Sequence, residues 1–295
     1  MDTRVLKYFL AVAQEENITK AADILHTSQS NLSRQLADLE NSVGKKLFIR
    51  GSRKITLTEE GMFLRKRAKE IVELLDRTET DLMNYNEDIS GTIHIGAIET
   101  DNMRVIAKTI LALKEAYPQI QYDFFSGSII EINEQLSKGI LDFAFLLAPI
   151  DMDKFHYQKL PLYDHCGVLM RKDHPLAKRK VIRPKDIGDY PIWVSQQQLE
   201  ENSLSGWLGR DLSSLNIIST FNLITTPSMM IDEGLGMAFT LENLVNTGMG
   251  SNLCFAPLNP PVKAELYLVW KKYEMFTKAA ETFLKHVQQN LFDIS

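Results

Sequence analysis

Ser28, Gln29, Ser30 and Asn31, followed by Ser33, Arg34 and Gln35, place seven short polar or basic side chains within eight positions. A glutamine amide can donate to and accept from one adenine edge at once, and an arginine fork fits a guanine or a phosphate. The serines, Asn31 and Gln35 suit phosphates and base edges. Lys20, with Arg50, Arg53 and Lys54 further along, offers positive charge that attracts a phosphate backbone without reading its sequence, an affinity that salt erodes. A second kind of chemistry is available downstream. Ile98-Glu99-Thr100-Asp101-Asn102 and Ser126-Gly127-Ser128 each follow a strand-like run and precede a helix-like one, where backbone N–H groups and hydroxyls can hold a small ligand. Catalytic signatures are missing. There is no Gly-x-Ser-x-Gly elbow, P-loop or His-Glu-x-x-His, and the six histidines show no metal-ligand spacing. Gly234-x-Gly236 lacks the third glycine of a dinucleotide site and reads as a turn. No cofactor or metal is expected.

Helices must position the first group. Val5, Leu6, Phe9, Leu10 and Ala13 fall at helical spacing, with Lys7 interrupting them, and read as an amphipathic helix over 3–14, not a secretion signal. A second helix is expected over 19–25, with Thr19 as N-cap and Ala21, Ala22 and Leu25 packing inward. After a break at His26-Thr27, a third runs over 28–41, its Leu32, Leu36 and Leu39 inward and its polar residues outward. Two short helices joined by a tight turn, the second polar outside, match a helix-turn-helix. Residues 47–50 and 54–57 read as a hairpin turning at Gly51-Ser52-Arg53, a basic wing.

A long helix follows from Thr58, its N-cap, with Glu59 and Glu60 at the positive end of the helix dipole. Leu64, Ala68, Ile71, Leu75, Thr78, Leu82, Tyr85 and Ile89 step by alternating fours and threes, a coiled-coil pattern. Such a stripe can pack on its own domain or on a second copy. Its narrowness and charged flanks favour dimerisation through Leu64, Ala68, Ile71, Leu75 and Leu82. Beyond Gly91, strand-like and helix-like runs alternate, the pattern of a parallel α/β sheet. The Met229-Met230-Ile231 cluster reads as helix core.

Charge sharpens this division. The 295 residues carry 33 Lys+Arg and 38 Asp+Glu, a net -5 that argues against nucleic acid. Residues 1–69 alone hold 13 basic and 8 acidic side chains, and the remainder 20 and 30. A basic head on an acidic body suits a nucleic-acid-binding module joined to a second function. The two cysteines, Cys166 and Cys254, cannot make a disulfide framework, and no basic neighbour obviously activates either, so both read as inert buried thiols in a reducing compartment. The longest apolar run, Phe143 to Ile150, is far short of the roughly 20 residues that cross a bilayer. A cytoplasmic setting is expected.

Ala21-Ala22, Leu25, Ser28-Gln29-Ser30, Leu32-Ser33, Leu39-Glu40, Gly44, Leu47-Phe48 with Arg50, Leu57-Thr58 and Gly61 together resemble the LysR-type bacterial transcriptional regulators. Weaker likenesses follow in Gly91 to Gly96, Gly139-Ile140-Leu141-Asp142, His174-Pro175-Leu176-Ala177 and Gly234-Leu235-Gly236-Met237-Ala238. The resemblance implies an all-α winged helix-turn-helix head over 1–58, a linker and dimerisation helix over 59–90, and a multi-domain chain completed by an α/β effector domain over 91–295. That domain would resemble periplasmic binding proteins, with subdomain I near 91–162 and 266–295 and subdomain II near 163–265, joined by two crossing strands around a small metabolite.

By the same resemblance, Thr100 and Ser128 would line the cleft with Glu99, Asn102, Ser126 and Gly127, and the second subdomain would add Ser195, Gln196 and Thr226. Glu99 and Asp101 depart from the family's carboxylate-binding habit. Their charge repels an anion unless they turn away, so a neutral, zwitterionic or cationic effector is expected. Expected partners are double-stranded promoter DNA, a second copy of the chain (a tetramer by resemblance) and RNA polymerase. Two other classes stay open from residues alone. The body by itself resembles a solute receptor, and distant side chains could converge into an enzyme site.

Overall fold

The computed structural model describes residues 2–51, 54–83, 89–148, 150–273 and 275–292. The chain forms two compact units, Met1–Tyr85 and Asn86–Ser295.

The first unit packs α1 (Thr3–Glu15), α2 (Ile18–Ile24) and α3 (Gln29–Val43) against a hairpin of β1 (Phe48–Arg50) and β2 (Ile55–Leu57), followed by α4 (Glu59–Met83). Each helix begins on a polar cap. Asp2 accepts from Arg4 N, Asn17 from Lys20 N and Ser28 from Asn31 N. The cap of α2 is therefore Asn17, not Thr19. Asn17 lies in extended backbone with its amide oxygen 3.1 Å from Lys20 N, which leaves Thr19 exposed inside the first turn. Glu16 adopts the left-handed conformation that closes α1.

Phe9, Val12, Ala21, Leu32 and Ala68 have no exposed surface and form one core with Leu6, Leu36, Leu39 and Leu47. The Phe9 and Phe48 rings meet at 5.1 Å between centroids and lock the hairpin onto α1.

Ala68 belongs to this core, and Leu64 packs against it. Neither is available to a second copy, because α4 spends its first turns covering α1, to which Lys7 and Asp76 also tie it at 2.7 Å. Leu75 is half-buried, and the exposed apolar residues described on α4 are Met62 and Phe63 near its start and Ile71, Leu74 and Leu82 further along. Tyr85 lies outside the described residues, and Ile89 packs against the core of the second unit.

That second unit is a sheet of nine strands among the described residues. In chain order its elements are β3 (Gly91–Ala97), α5 (Met103–Ala116), β4 (Ile120–Ser126), α6 (Ile129–Ser137), β5 (Phe143–Leu147), β6 (Phe155–Arg171), β7 (Ile192–Ser195), α7 (Gln196–Glu200), α8 (Ser205–Leu208), β8 (Ile217–Phe221), α9 (Thr225–Asp232), β9 (Met237–Leu241), β10 (Leu253–Pro257), β11 (Lys263–Lys271) and α10 (Lys278–Phe292). The order across the sheet is β4-β3-β5-β11-β6-β9-β7-β8, with β10 also on β6. Parallel triplets β4-β3-β5 and β9-β7-β8 form two lobes, and antiparallel β6 and β11 cross between them.

Lobe I is filled by Ile93, Ile95, Ile106, Phe143 and Phe283. Lobe II is filled by Val168, Met170, Ile182, Ile192, Val194 and Met237. Asp142 pins β5 beside β3. It accepts from His94 N, and its own N donates to His94 O, both at 2.8 Å. Met229 and Met230 are exposed on α9 and only Ile231 is core, because the short helix presents one face to the sheet.

Gly61 sits where α4 passes the hairpin, and a Cβ there would strike the Leu47 carbonyl and the Leu57 side chain. Gly61→Ala is expected to destabilise the first unit by about 1–3 kcal/mol, the usual cost of overpacking. Gly206→Ala, which meets open space within α8, is expected to be neutral or slightly stabilising. Thermal melts of the two variants check the contrast.

Candidate functional site

The first unit presents α3 as a polar ridge on an apolar base. Leu32, Leu36 and Leu39 hold its inner face, and Ser28, Gln29, Ser30 and Arg34 are exposed on the other. Asn31, Ser33 and Gln35 lie half-buried along its flanks. The ridge is ordered by its own hydrogen bonds. Ser28 Oγ accepts from Asn31 N at 3.2 Å, Asn31 Nδ2 donates to Thr27 Oγ1 at 3.0 Å, and Arg34 donates to Asn31 Oδ1 at 3.2 Å. Asn31 thereby holds the guanidinium near the helix start. Thr19 and Lys20 are exposed on α2. On the wing, Arg50 ends β1, Lys54 pairs with Glu16 at 3.1 Å, and Arg53 lies outside the described residues. The Lys54 pair is solvent-exposed and so contributes little stability, leaving the lysine free to exchange partners.

Glu40 connects this ridge to the wing. Its buried carboxylate accepts from Leu47 N at 2.8 Å and Phe48 N at 3.3 Å and pairs with Lys46 at 2.8 Å. Burial pushes its pKa up, but Lys46 and the two backbone donors outweigh that and hold it below the usual carboxylate range.

In the second unit, the lobes enclose a cavity of about 330 Å³. Of the nine residues expected there, Glu99, Gly127, Ser128, Ser195 and Gln196 line it; Thr100, Asn102, Ser126 and Thr226 do not. The Thr100 hydroxyl donates instead to Asp164 at 2.6 Å, with both residues buried. Burial pushes the Asp164 carboxyl up, opposed by the hydrogen bonds from Thr100 and Asn102. Ser126 is exposed at the end of β4, and Thr226 is exposed in the first turn of α9.

Ser128 and Ser195 are also N-caps, each in a capping box, with Glu131 and with Gln198. They therefore bring the starts of α6 and α7 to opposite walls. The cavity's apolar surface comes from side chains such as Ile98, Leu147, Phe221, Phe239, Leu241 and Val262. Apart from Ile98, sequence reasoning missed these, along with Glu201 at the end of α7 and Lys263 on β11. Their common signal is only spatial. Burial raises the Glu201 pKa. Lys263 Nζ rests 3.9 Å from the centroid of the Tyr163 ring.

Cys254 is half-buried, not buried as expected, and neither thiol is pushed toward its thiolate by its surroundings. Cys166 is buried with its thiol pushed up to about 11, and burial raises Cys254 as well. Among the described residues there is no group of three His, Cys, Asp or Glu that could hold a metal, and no helix long and apolar enough to cross a membrane.

Residues 3–62 match the family described as "Bacterial regulatory helix-turn-helix protein, lysR family", and residues 86–292 match "LysR substrate binding domain". The chain belongs to the LysR family. It is 30% identical over 302 residues to the Hca operon transcriptional activator HcaR of Escherichia coli (strain K12), covering 100% of both chains. It is also 30% identical over 306 residues to a hydrogen peroxide-inducible genes activator of Dickeya chrysanthemi, covering 100% of this chain and 99% of that one.

Among solved structures, the LysR regulator CbnR superposes with a TM-score of 0.77 at 19% identity, covering 99% of each chain. CbnR complexed with its target DNA gives 0.75 at 19% identity over 98% of this chain and 100% of that one. The protein is thus a LysR-family DNA-binding regulator with an effector-binding domain, and its homologues are regulators, not enzymes.

Because Glu40 titrates below its ordinary range, the stability it contributes is complete above that range and is lost as pH falls through its lowered pKa. Glu40→Gln is expected to weaken the LysR head at pH 7, with the gap to the parent closing on acidification. Melting curves of both proteins from pH 7 to pH 3 check this.

Proposed function

We propose that residues 1–58 bind promoter DNA through α3 in the major groove, that residues 59–90 pair two copies, and that residues 91–295 respond to a small molecule in the cleft. The observation that carries the DNA assignment is the polar ridge of Gln29, Ser30 and Arg34, with Arg34 held by Asn31, standing on the buried leucines of α3. Gln29 reads an adenine, Arg34 a guanine or phosphate, and Ser28, Ser33 and Gln35 position the helix on the backbone. Lys20 and the wing cations Arg50, Arg53 and Lys54 add charge that salt screens.

Pairing runs along Ile71, Leu74 and Leu82 of α4, part of the apolar surface that the head leaves uncovered. A dimer presents two recognition helices to two half-sites, and the family likeness extends this to a dimer of dimers that engages RNA polymerase. The setting is the cytoplasm. Effector binding acts by preferring one of two arrangements of the heads, which is the only way a distant ligand can shift DNA affinity.

Mobility shifts over a genomic promoter library are expected to give a specific complex whose affinity falls steeply with salt. Arg34→Ala should cost about 1–3 kcal/mol and relax one base position, whereas Lys20→Ala should weaken all sites alike and flatten the salt slope by about one per half-site. Light scattering at micromolar concentration should find a dimer or larger species, and Ile71→Glu with Leu82→Glu should yield monomers.

A further inference from the structure

The charge that looked out of place in the sequence is engaged in the fold. Glu99 belongs to the loop after β3 in lobe I, yet its carboxylate accepts from Ile224 N at 2.8 Å and Thr225 Oγ1 at 3.1 Å, at the start of α9 in lobe II. The N-cap of α9 is Ile224, whose side chain has nothing to offer the open N–H groups of the first turn. Glu99, 125 residues away across the cleft, binds the N–H of that N-cap residue and the hydroxyl of the residue after it. Asp101, by contrast, turns away to Arg104 at 2.6 Å.

Three charged residues line the cavity: Glu99, Glu201 and Lys263. Lys263 Nζ lies over the Tyr163 ring, and its charge also acts on Glu265. An anionic ligand entering here meets two carboxylates against one lysine, and at the start of α9 it meets the Glu99 carboxylate.

We propose that Glu99 is the specificity-determining residue of the cleft. It latches the two lobes with the protein's own carboxylate and restricts the effector to a molecule without net negative charge, with an apolar body and a small hydrogen-bonding head. This rests on the cleft being the effector site. The apolar lining suits such a body, and Ser128, Ser195 and Gln196 suit the head. Closure of the lobes then needs no negative charge from the ligand, because the latch is built in.

Benzamide and benzoate differ little in shape and fully in charge. Calorimetric titration of the full chain is expected to show benzamide bound at least about tenfold more tightly than benzoate, since repulsion from a nearby carboxylate is worth more than 1.4 kcal/mol in a partly desolvated cleft. Glu99→Gln keeps an acceptor for Ile224 N but removes the charge, and should shrink the preference to within about threefold. Glu99→Ala removes the latch as well, and should accelerate hydrogen exchange at the Ile224 amide, which Glu99→Gln leaves slow. Equal binding of the two probes by the parent, or a preference unchanged in Glu99→Gln, overturns the specificity assignment. So does the absence of benzamide binding at millimolar concentration. Exchange unchanged in Glu99→Ala overturns the latch. A cleft-filling Val262→Trp separates the underlying reading. It should abolish benzamide binding, and if it does not, the ligand sits elsewhere and the cleft assignment is what fails.

Discussion

The strand β6 has to satisfy two hydrophobic cores in succession, and the effector domain is arranged around that requirement. In its first half Phe155 and Leu160 face the core of lobe I, with exposed residues between them. From Cys166 onward nearly every side chain is buried, because Val168 and Met170 enter one core of lobe II while Leu169 enters another on the opposite face. A strand buried on both faces loses the alternating pattern and becomes a continuous apolar run. Strand β11 lies antiparallel beside it, interrupted by a bulge between Glu265 and Tyr267. The two strands are thus the shared spine of both lobes, and the cleft is the space left where the parallel triplets end on either side. Every residue of the cavity inherits its position from this crossing.

The head solves a different problem with a single charge. A helix that must offer polar side chains to DNA cannot also bury much surface on that face, so its orientation has to be set from behind. Leu32, Leu36 and Leu39 do this through packing, and Glu40 continues the same face with a carboxylate that receives the backbone of Leu47 and Phe48. Burying a carboxylate is costly unless donors converge on it, and three do. The angle between recognition helix and wing is therefore held by hydrogen bonds of fixed direction. The net charge of -5 conceals this head, because the acidic body more than cancels the basic residues of 1–69.

Local rules written in the chain were the legible ones. The inward leucines of α3 and the Thr58 that accepts from Gly61 N follow from spacing and side-chain chemistry within a few residues. The cap of α2 was displaced to Asn17 because two polar residues, Asn17 and Thr19, could each fill that role and backbone geometry decided between them. Ala68 illustrates a deeper limit. A heptad pattern reports which face of a helix is apolar but not whether the cover comes from its own domain or another, and here the stripe divides between the two options partway along α4. The first half of β6, β10 and the short α7 and α8 gave weak signals, since their order comes from partners distant in sequence.

The cleft was the least legible part for the same reason. Ser128 and Ser195 were expected there from the family resemblance, and the structure makes each the cap of a helix start as well. Thr100 was misplaced because a buried carboxylate, Asp164, lies on the crossing strand and takes its hydroxyl. Glu99 shows how such a failure carries information. A carboxylate beside a ligand cleft contradicts its neighbours when only adjacent residues are considered. The contradiction disappears once Ile224, a cap without a capping side chain, is found opposite it. Two local irregularities, an acid with no nearby base and a helix with no cap, cancel across the gap between lobes. Each is unfavourable alone, so the pair is satisfied only when the lobes are brought together, and that conditional satisfaction is what ties an otherwise ordinary helix start to the state of the cleft.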